Sequence, residues 1–186
     1  MIYSYLLSFL KPDTDISEEK LEEYKTTTGF LQKDIIRLRK LFLQLTNGSE
    51  IMTKSVFISI EGIALSPLLD RICDCFGLID DSCTLTFESF LTGVAAFNAP
   101  GHGEVKLKTA FHIQDFDNDG KISKKDLTEY ITRVTSSGLK EDELEEIVNE
   151  VFRETSSDPQ QDFISYGDFQ RVVFLLDFQA KLHLPI

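Results

Sequence analysis

The stretch Asp115-Phe-Asp117-Asn-Asp119-Gly120-Lys121-Ile122-Ser123-Lys-Lys-Asp126 sets carboxylates at alternate positions, then a glycine, then a lone aliphatic residue. A hard divalent cation takes about six to eight oxygens at roughly 2.3–2.6 Å. In a tight turn, Asp115, Asp117 and Asp119 can aim their carboxylates at one point. Gly120 permits the sharp bend that a Cβ would oppose. Lys121 is expected to offer its backbone carbonyl, and Ser123 to act directly or through water. Asp126 closes the set from the first turn of the following helix, and Ile122 is placed to anchor a short strand. A solvated acidic turn, the bland alternative, needs no three alternating aspartates in register with Gly and Ile.

The flanks agree with the loop. Phe111 stands four residues before it and Leu127 directly after it, as for two apolar-faced helices joined by a metal loop, the EF-hand pattern. One feature departs: the last ligand is Asp126 rather than Glu. Asp is one methylene shorter, so bidentate reach is harder and the shell shifts towards octahedral magnesium. Modest calcium affinity with magnesium competition is therefore predicted.

Apolar residues recur at helical spacing along nearly the whole chain. Ile35, Leu38, Leu41, Phe42 and Leu45 form one stripe, and Phe87, Phe90, Leu91 and Val94 another. Asp15 is expected to cap a helix from Glu18, and Ser66-Pro67 to start one carrying Leu68, Leu69, Ile72 and Phe76. After Asn98-Ala-Pro-Gly-His-Gly103 the pattern resumes, with Leu107, Ala110, Phe111, then Leu127, Tyr130, Ile131, Val134. Leu144, Ile147, Val148, Val151 and finally Phe169, Val172, Val173, Leu176 complete it. The fold predicted is all-α: two lobes of paired EF-hands, four helix–loop–helix units, mostly degenerate. An N-terminal apolar helix and a short helix occupy 1–26, the first lobe 27–97, a linker 98–104, the second lobe 105–176 and a tail 177–186.

The other three loops look damaged. The second puts Leu78, Asp80, Ser82, Thr84 and Ser89 at ligand positions, although Leu85 and Phe87 fit its end. The fourth keeps Ile164, Asp168 and Phe169, but counting back gives Ser157, Pro159 and Gln161, with Asp162 at the glycine position, while counting forward from Phe152 starts the loop at Ser156, as for a loop lengthened by one residue. The first, around Thr46 to Ile60, shows no ligand pattern. One metal site, calcium or magnesium, is expected.

The chain has 186 residues, with 19 Lys+Arg against 31 Asp+Glu and a net charge of −12. That acidity argues against nucleic acid as the main partner, since phosphate binding needs clustered Lys and Arg. Cys73, Cys75 and Cys83 are odd in number and do not make a disulfide framework, which points to a reducing, cytoplasmic setting. No apolar run approaches the roughly 18 residues of a membrane span. Residues 1–10 (MIYSYLLSFL) lack a basic flank and cleavage site, so a secretory signal is not expected. That apolar segment must cover its own body, a partner or a membrane surface, so any membrane contact is peripheral. No nucleophile–base pair or phosphate-binding Gly loop appears, which argues against an enzyme.

Several segments resemble the calcium- and integrin-binding (CIB) family, relatives of calcineurin B, from about Leu21 to Ile186. Leu21-Glu-Glu-Tyr24, Phe30-Leu31 and Asp34-Ile35 are similar to its N-terminal segment. Arg71-Ile72-Cys73, Phe76 and Phe87-Glu88-Ser89-Phe90 resemble its inactive second hand. Ala110-Phe111-His-Ile113-Gln-Asp115-Phe116-Asp117 resembles its third hand, which in the family also ends in Asp, and Phe169-Gln-Arg-Val172 with Asp177-Phe178 its C-terminus. Two departures stand out: the family's fourth hand normally binds calcium, and many members carry an N-terminal myristoylation site where this chain has residues 1–10. The resemblance implies a non-catalytic adaptor that captures an amphipathic helix of a target, often a membrane protein's cytoplasmic tail.

The groove for such a helix is expected in the second half, lined by Ile131, Val134, Leu144, Val148, Val151, Phe169, Val172 and Leu176. Taken singly, each of these is also a reasonable core residue. The tail Phe178 to Ile186 is expected to fill that groove until a target displaces it. Two other roles fit the sequence: a regulatory B-type subunit of a protein phosphatase, and a light-chain-like component of a cytoskeletal or ciliary assembly.

Overall fold

A computed structural model describes residues 15–98, 103–136, 138–155, 161–173 and 184. The apolar segment 1–10, most of the linker, Leu176 and all of the tail except Leu184 lie outside the described residues. The described chain is helical, with four strands of two or three residues.

The first half runs α1 (Glu18–Thr28), α2 (Gln32–Leu45), β1 (Ile51–Thr53), α3 (Lys54–Ile58), α4 (Glu61–Ala64), α5 (Leu69–Cys75), β2 (Thr84–Thr86) and α6 (Phe87–Asn98). The cap of α1 is Ser17, whose Oγ accepts from the Lys20 N–H at 3.3 Å, and not Asp15. Asp15 is drawn elsewhere: Arg39 lies buried on the apolar face of α2, and a buried guanidinium requires carboxylate partners. Asp15 and Glu50 supply them. The Gly29 backbone, at φ 70°, ends α1, which runs across the expected boundary at 26 and buries Leu21 in the first lobe's core. Ser66 accepts from the Leu68 N–H at 3.2 Å, but regular helix begins only at Leu69, so α5 is shorter than the sequence predicts.

Strands β1 and β2 pair antiparallel with Met52 opposite Leu85, both buried. This joins the first two loops through backbone pairing and buried hydrocarbon. Above them an aromatic core packs Phe42, Phe57, Phe76, Phe87, Phe90 and Phe97. Phe76 stacks on Phe97 at 6.1 Å between centroids, and Phe57 lies 4.5 Å from Phe76.

The second half repeats the plan: α7 (Gly103–Gln114), β3 (Ile122–Ser123), α8 (Lys124–Val134), α9 (Glu141–Thr155), β4 (Phe163–Ile164) and α10 (Tyr166–Val173). Ile122 pairs with Ile164 across β3 and β4, as the mini-strand reading expects. Its core holds Leu107, Phe111, Leu127, Val148, Phe152 and Phe169. The two cores share elements, because Ile113 of α7 is buried in the first cluster and Tyr130 of α8 packs against it. Helices α6 and α7 stop at Asn98 and start at Gly103, which shortens the expected linker at both ends.

Candidate metal centre

Local backbone chemistry already bends the third loop around its acids. Asp115 accepts the Asp119 N–H at 3.1 Å and the Gly120 N–H at 2.9 Å. Asp117 accepts the Asp119 N–H at 3.3 Å, and Asp119 the Lys121 N–H at 2.9 Å. Asn118 (φ 57°) and Gly120 (φ 83°) take the left-handed conformations that the turn demands, which Asn and Gly tolerate best. One carboxylate oxygen each from Asp115, Asp117 and Asp119 lies within 4.8 Å of the others. Among the described residues this is the only such trio of His, Cys, Asp or Glu.

Burial is divided along the loop. Asp115 and Asp126 are both 4% exposed, whereas Asp117 and Asp119 face solvent. Burial, foremost, and the neighbouring charges of Asp119 and Asp117 push the Asp115 carboxyl above its ordinary range, against the two backbone N–H groups that favour its anion. A cation at the trio relieves both penalties, so this donor set fits a hard divalent ion.

Asp126 stands apart from the trio. Its Oδ2 accepts from Ser123 N–H at 2.9 Å and Ser123 Oγ at 2.5 Å, and its Oδ1 from the Phe116 N–H at 3.2 Å. The Ser123 Oγ in turn accepts from the Asp126 N–H at 3.2 Å, a reciprocal capping box at the start of α8. Thus the side chains of Ser123 and Asp126 close the loop on each other, and Lys121 lies between the trio and this cap, its Nζ 4.4 Å above the Phe163 ring.

The damaged loops are closed by protein donors. In the second, Asp80 Oδ1 accepts from Ser82 N–H (2.8 Å) and Ser82 Oγ (2.5 Å), while Leu78 is fully buried in the core. In the fourth, buried Asp168 accepts from Ser165 Oγ at 2.6 Å and from Gln161 Nε2 at 3.1 Å. Gln161, at the fifth position, turns a donor where an ion requires an oxygen. Ser157 and Pro159 lie outside the described residues.

The expected groove divides. Val148 (3% exposed) and Phe169 (8%) are core residues in this conformation, held there by contacts within the lobe. Ile131, Leu144 and Val151 are partly buried against the same cluster, Val172 is half-buried, and Val134 is exposed. Leu176 is outside the described residues. The tail does not follow expectation at the one residue described. Leu184 is buried in the first lobe's cluster, its N–H donating to Asn98 Oδ1 (2.7 Å) and its carbonyl accepting from Asn98 Nδ2 (2.8 Å). A side-chain amide offers a matching donor and acceptor to one extended residue, which draws Leu184 towards α6.

Two contributors escape a ligand-by-ligand reading of the sequence: Arg71 and Asn118, which bond to each other at 2.9 Å beside the loop. The available hint is a lone arginine among the apolar residues of α5.

The EF-hand domain pair, as a family, matches residues 104–174. The calcineurin B subunit of Yarrowia lipolytica is 34% identical over 155 residues, covering 83% of this chain and 88% of the relative. The calcineurin B subunit of Naegleria gruberi is 29% identical over 174 residues, 93% of this chain and 97% of the relative. Calcium and integrin-binding family member 2 of Drosophila melanogaster is 31% identical over 183 residues, 91% and 96%. With paired loops joined by short strands and a single acidic trio among the described residues, this chain belongs to the calcineurin B-like and calcium- and integrin-binding family of EF-hand proteins.

Proposed function

We propose that this chain is a non-catalytic EF-hand adaptor or regulatory subunit with one working divalent site, Asp115–Asp126, that captures an amphipathic helix of a target protein. The observation that carries it is the convergence of Asp115, Asp117 and Asp119 within 4.8 Å in a loop tied to its neighbour through Ile122 and Ile164. Those three carboxylates, the Lys121 carbonyl, Ser123 and Asp126 would hold calcium or magnesium. The bound ion supplies positive charge that neutralises the trio and fixes the angle between α7 and α8. Asp126 already accepts from Ser123 and Phe116, so its joining the shell competes with those bonds, which disfavours calcium relative to a glutamate-closed loop.

Target capture uses the second lobe. Val134, half-buried Val172 and the partly covered Ile131, Leu144 and Val151 form the rim, and opening of the lobe exposes Val148 and Phe169 beneath them. A regulatory role in a protein phosphatase is the second reading, favoured by the calcineurin B relatives, whose likeness covers most of the chain. A membrane protein's cytoplasmic tail suits the CIB-like alternative. Among the described residues no helix is long and apolar enough to cross a membrane.

Titration calorimetry tests the ion site: one calcium per chain, weakened by millimolar magnesium and abolished in Asp115→Asn. Tight calcium binding indifferent to magnesium contradicts the Asp126 reading. Pull-down with mass spectrometry in calcium, magnesium and chelator tests capture. Recovery of a phosphatase catalytic chain selects the second reading; no partner in any condition refutes capture.

A further inference from the structure

Arg71 belongs to the second hand but ends on the third. It is 3% exposed, on α5. Its Nη2 donates to the carbonyl oxygens of His112 and Asp115, each at 2.5 Å, and to Asn118 Oδ1 at 2.9 Å. Its Nε donates to the Ile113 carbonyl at 3.3 Å, and Nη1 is held by Asp74 at 2.6 Å. The carbonyls in the last turn of a helix lack intrahelical donors and gather partial negative charge. A guanidinium, with five donors in a rigid fork, can serve several of them at once. Here it serves the end of α7 together with positions one and four of the acidic loop.

A second link grips the other side of the loop. Arg133, on α8, donates to both carboxylate oxygens of Asp70 on α5 at 2.7 Å. The ring of Phe116, loop position two, has the Arg133 guanidinium 4.7 Å and the Arg71 guanidinium 5.4 Å from its centroid. Helix α5 therefore holds both helices that flank the loop.

The charge balance decides the sign of the effect. A lone buried guanidinium would repel an incoming cation. Each arginine is answered by carboxylates, Asp74 for Arg71 and both Asp70 and Glu129 for Arg133, so the clamp adds no net positive charge beside the loop. What remains is geometry: loop carbonyls and Asn118 fixed before the ion arrives.

We propose that Arg71 is a positioning residue for the ion site, through which the ion-free second hand presets the third loop and ion binding in turn stabilises α5. This rests on the placement of the ion at Asp115–Asp126. Coupling between sites is reciprocal, so whatever factor the clamp adds to ion affinity, the ion adds to the clamp.

The test compares the full chain with Arg71→Met and Asn118→Gly, using calcium calorimetry and hydrogen exchange of residues 69–75. Glycine keeps the positive φ at position 118 and deletes only the side-chain bond, so that variant folds even where loss of the buried arginine does not. The expected result is calcium affinity about tenfold weaker in Arg71→Met, as for loss of hydrogen bonds to a charged group, and a smaller loss in Asn118→Gly. Calcium should slow exchange in α5 of the parent chain and leave it unchanged in Arg71→Met. A merely structural arginine would lower stability without moving that calcium response. Parent-like affinity and parent-like α5 protection in both variants overturn the coupling alone. Calcium binding that survives Asp115→Asn overturns the ion placement and the coupling with it. Should Arg71→Met fail to fold, Asn118→Gly decides by the same two readouts.

Discussion

Gly93→Ala is a substitution that helix propensity favours and packing forbids. In the middle of α6, alanine gains about 1 kcal/mol over glycine. A Cβ at position 93, however, would lie 2.3 Å from Phe76 Cε1, 2.4 Å from Cδ1 and 2.9 Å from Cζ. Carbon atoms settle at about 3.5–4.0 Å, so the ring must retreat by over about 1 Å. It has little room to do so, being 7% exposed and packed between Phe57 at 4.5 Å and Phe97 at 6.1 Å. Overpacking costs about 1–3 kcal/mol, and a clash this close falls in the upper part, about 2–3 kcal/mol, so after the gain in propensity the net expectation is destabilisation by roughly 1–2 kcal/mol, or about 2–8 °C in Tm for a chain of this size. Urea unfolding should show a lower midpoint with the slope unchanged. In a Phe76→Leu background the cost should shrink, since the ring that clashes is gone. An alanine variant as stable as the parent, or a cost that persists without the ring, refutes the packing argument.

Asp126→Glu adds one methylene to the closing carboxylate and should raise calcium affinity about tenfold relative to magnesium, by bringing a second oxygen into reach; unchanged selectivity in competition calorimetry counts against it. Hydrogen bonds from Arg39 hold Asp15 and Glu50 below their ordinary values of 3.8 and 4.5. Carboxylates so depressed contribute stability that is complete above the ordinary values and is lost as pH falls through the lower folded ones. The urea midpoint should therefore drop on acidification below 4.5, less steeply in Asp15→Asn with Glu50→Gln; identical acid profiles remove the ion-pair account. Asn98→Ala deletes both bonds to Leu184, each worth about 1 kcal/mol net, and should speed limited proteolysis of the tail beyond Val173; an unaltered cleavage rate means that Leu184 docks by its side chain alone.

The legible parts of this fold were those written in local periodicity. The 3.6-residue stripes located α2, α6 and α7, and the pattern of Ile122 and Ile164 located a strand pair across 42 residues of chain, because a mini-sheet needs one aliphatic residue per loop at a fixed offset. The trio Asp115, Asp117 and Asp119 was legible for the same reason: alternation in a tight turn dictates convergence. Long-range polar partners were not. Asp15 reads as a cap, since Asp before Glu-rich helix is a local signal, yet Arg39 competes for it from 24 residues away. Arg71 meets carbonyls 41 to 44 residues away, and backbone carbonyls carry no sequence signature at all. The destination of Leu184 depends on an Asn98 amide 86 residues earlier. Burial of Val148 and Phe169 inside the expected groove follows from a helical stripe having one apolar face that serves the core first and a partner second.

If the ion sits in the third loop as proposed, the other three hands bear on why one site can matter. An EF-hand ion ties the start of its loop to the first turn of the following helix. In the fourth hand Gln161 and Ser165 bond Asp168, so protein donors tie the described part of that loop to the first turn of α10. In the second, Leu78 is anchored in the core and Asp80 closes on Ser82, with Leu85 paired to Met52. Hydrocarbon contacts and neutral donors therefore hold the described parts of these loops. Among the described residues only the third loop keeps an acidic trio with its charges mutually opposed, and there Asp126 is engaged in the cap of α8. On the proposed placement of the ion, drawing Asp126 into the shell would compete with its Ser123 contact at the first turn of α8, the helix that carries Arg133 towards Asp70 and Tyr130 into the first core. The third loop and its helices thus touch both lobes, through Arg71 and Arg133 to α5 and through Tyr130 to the first core.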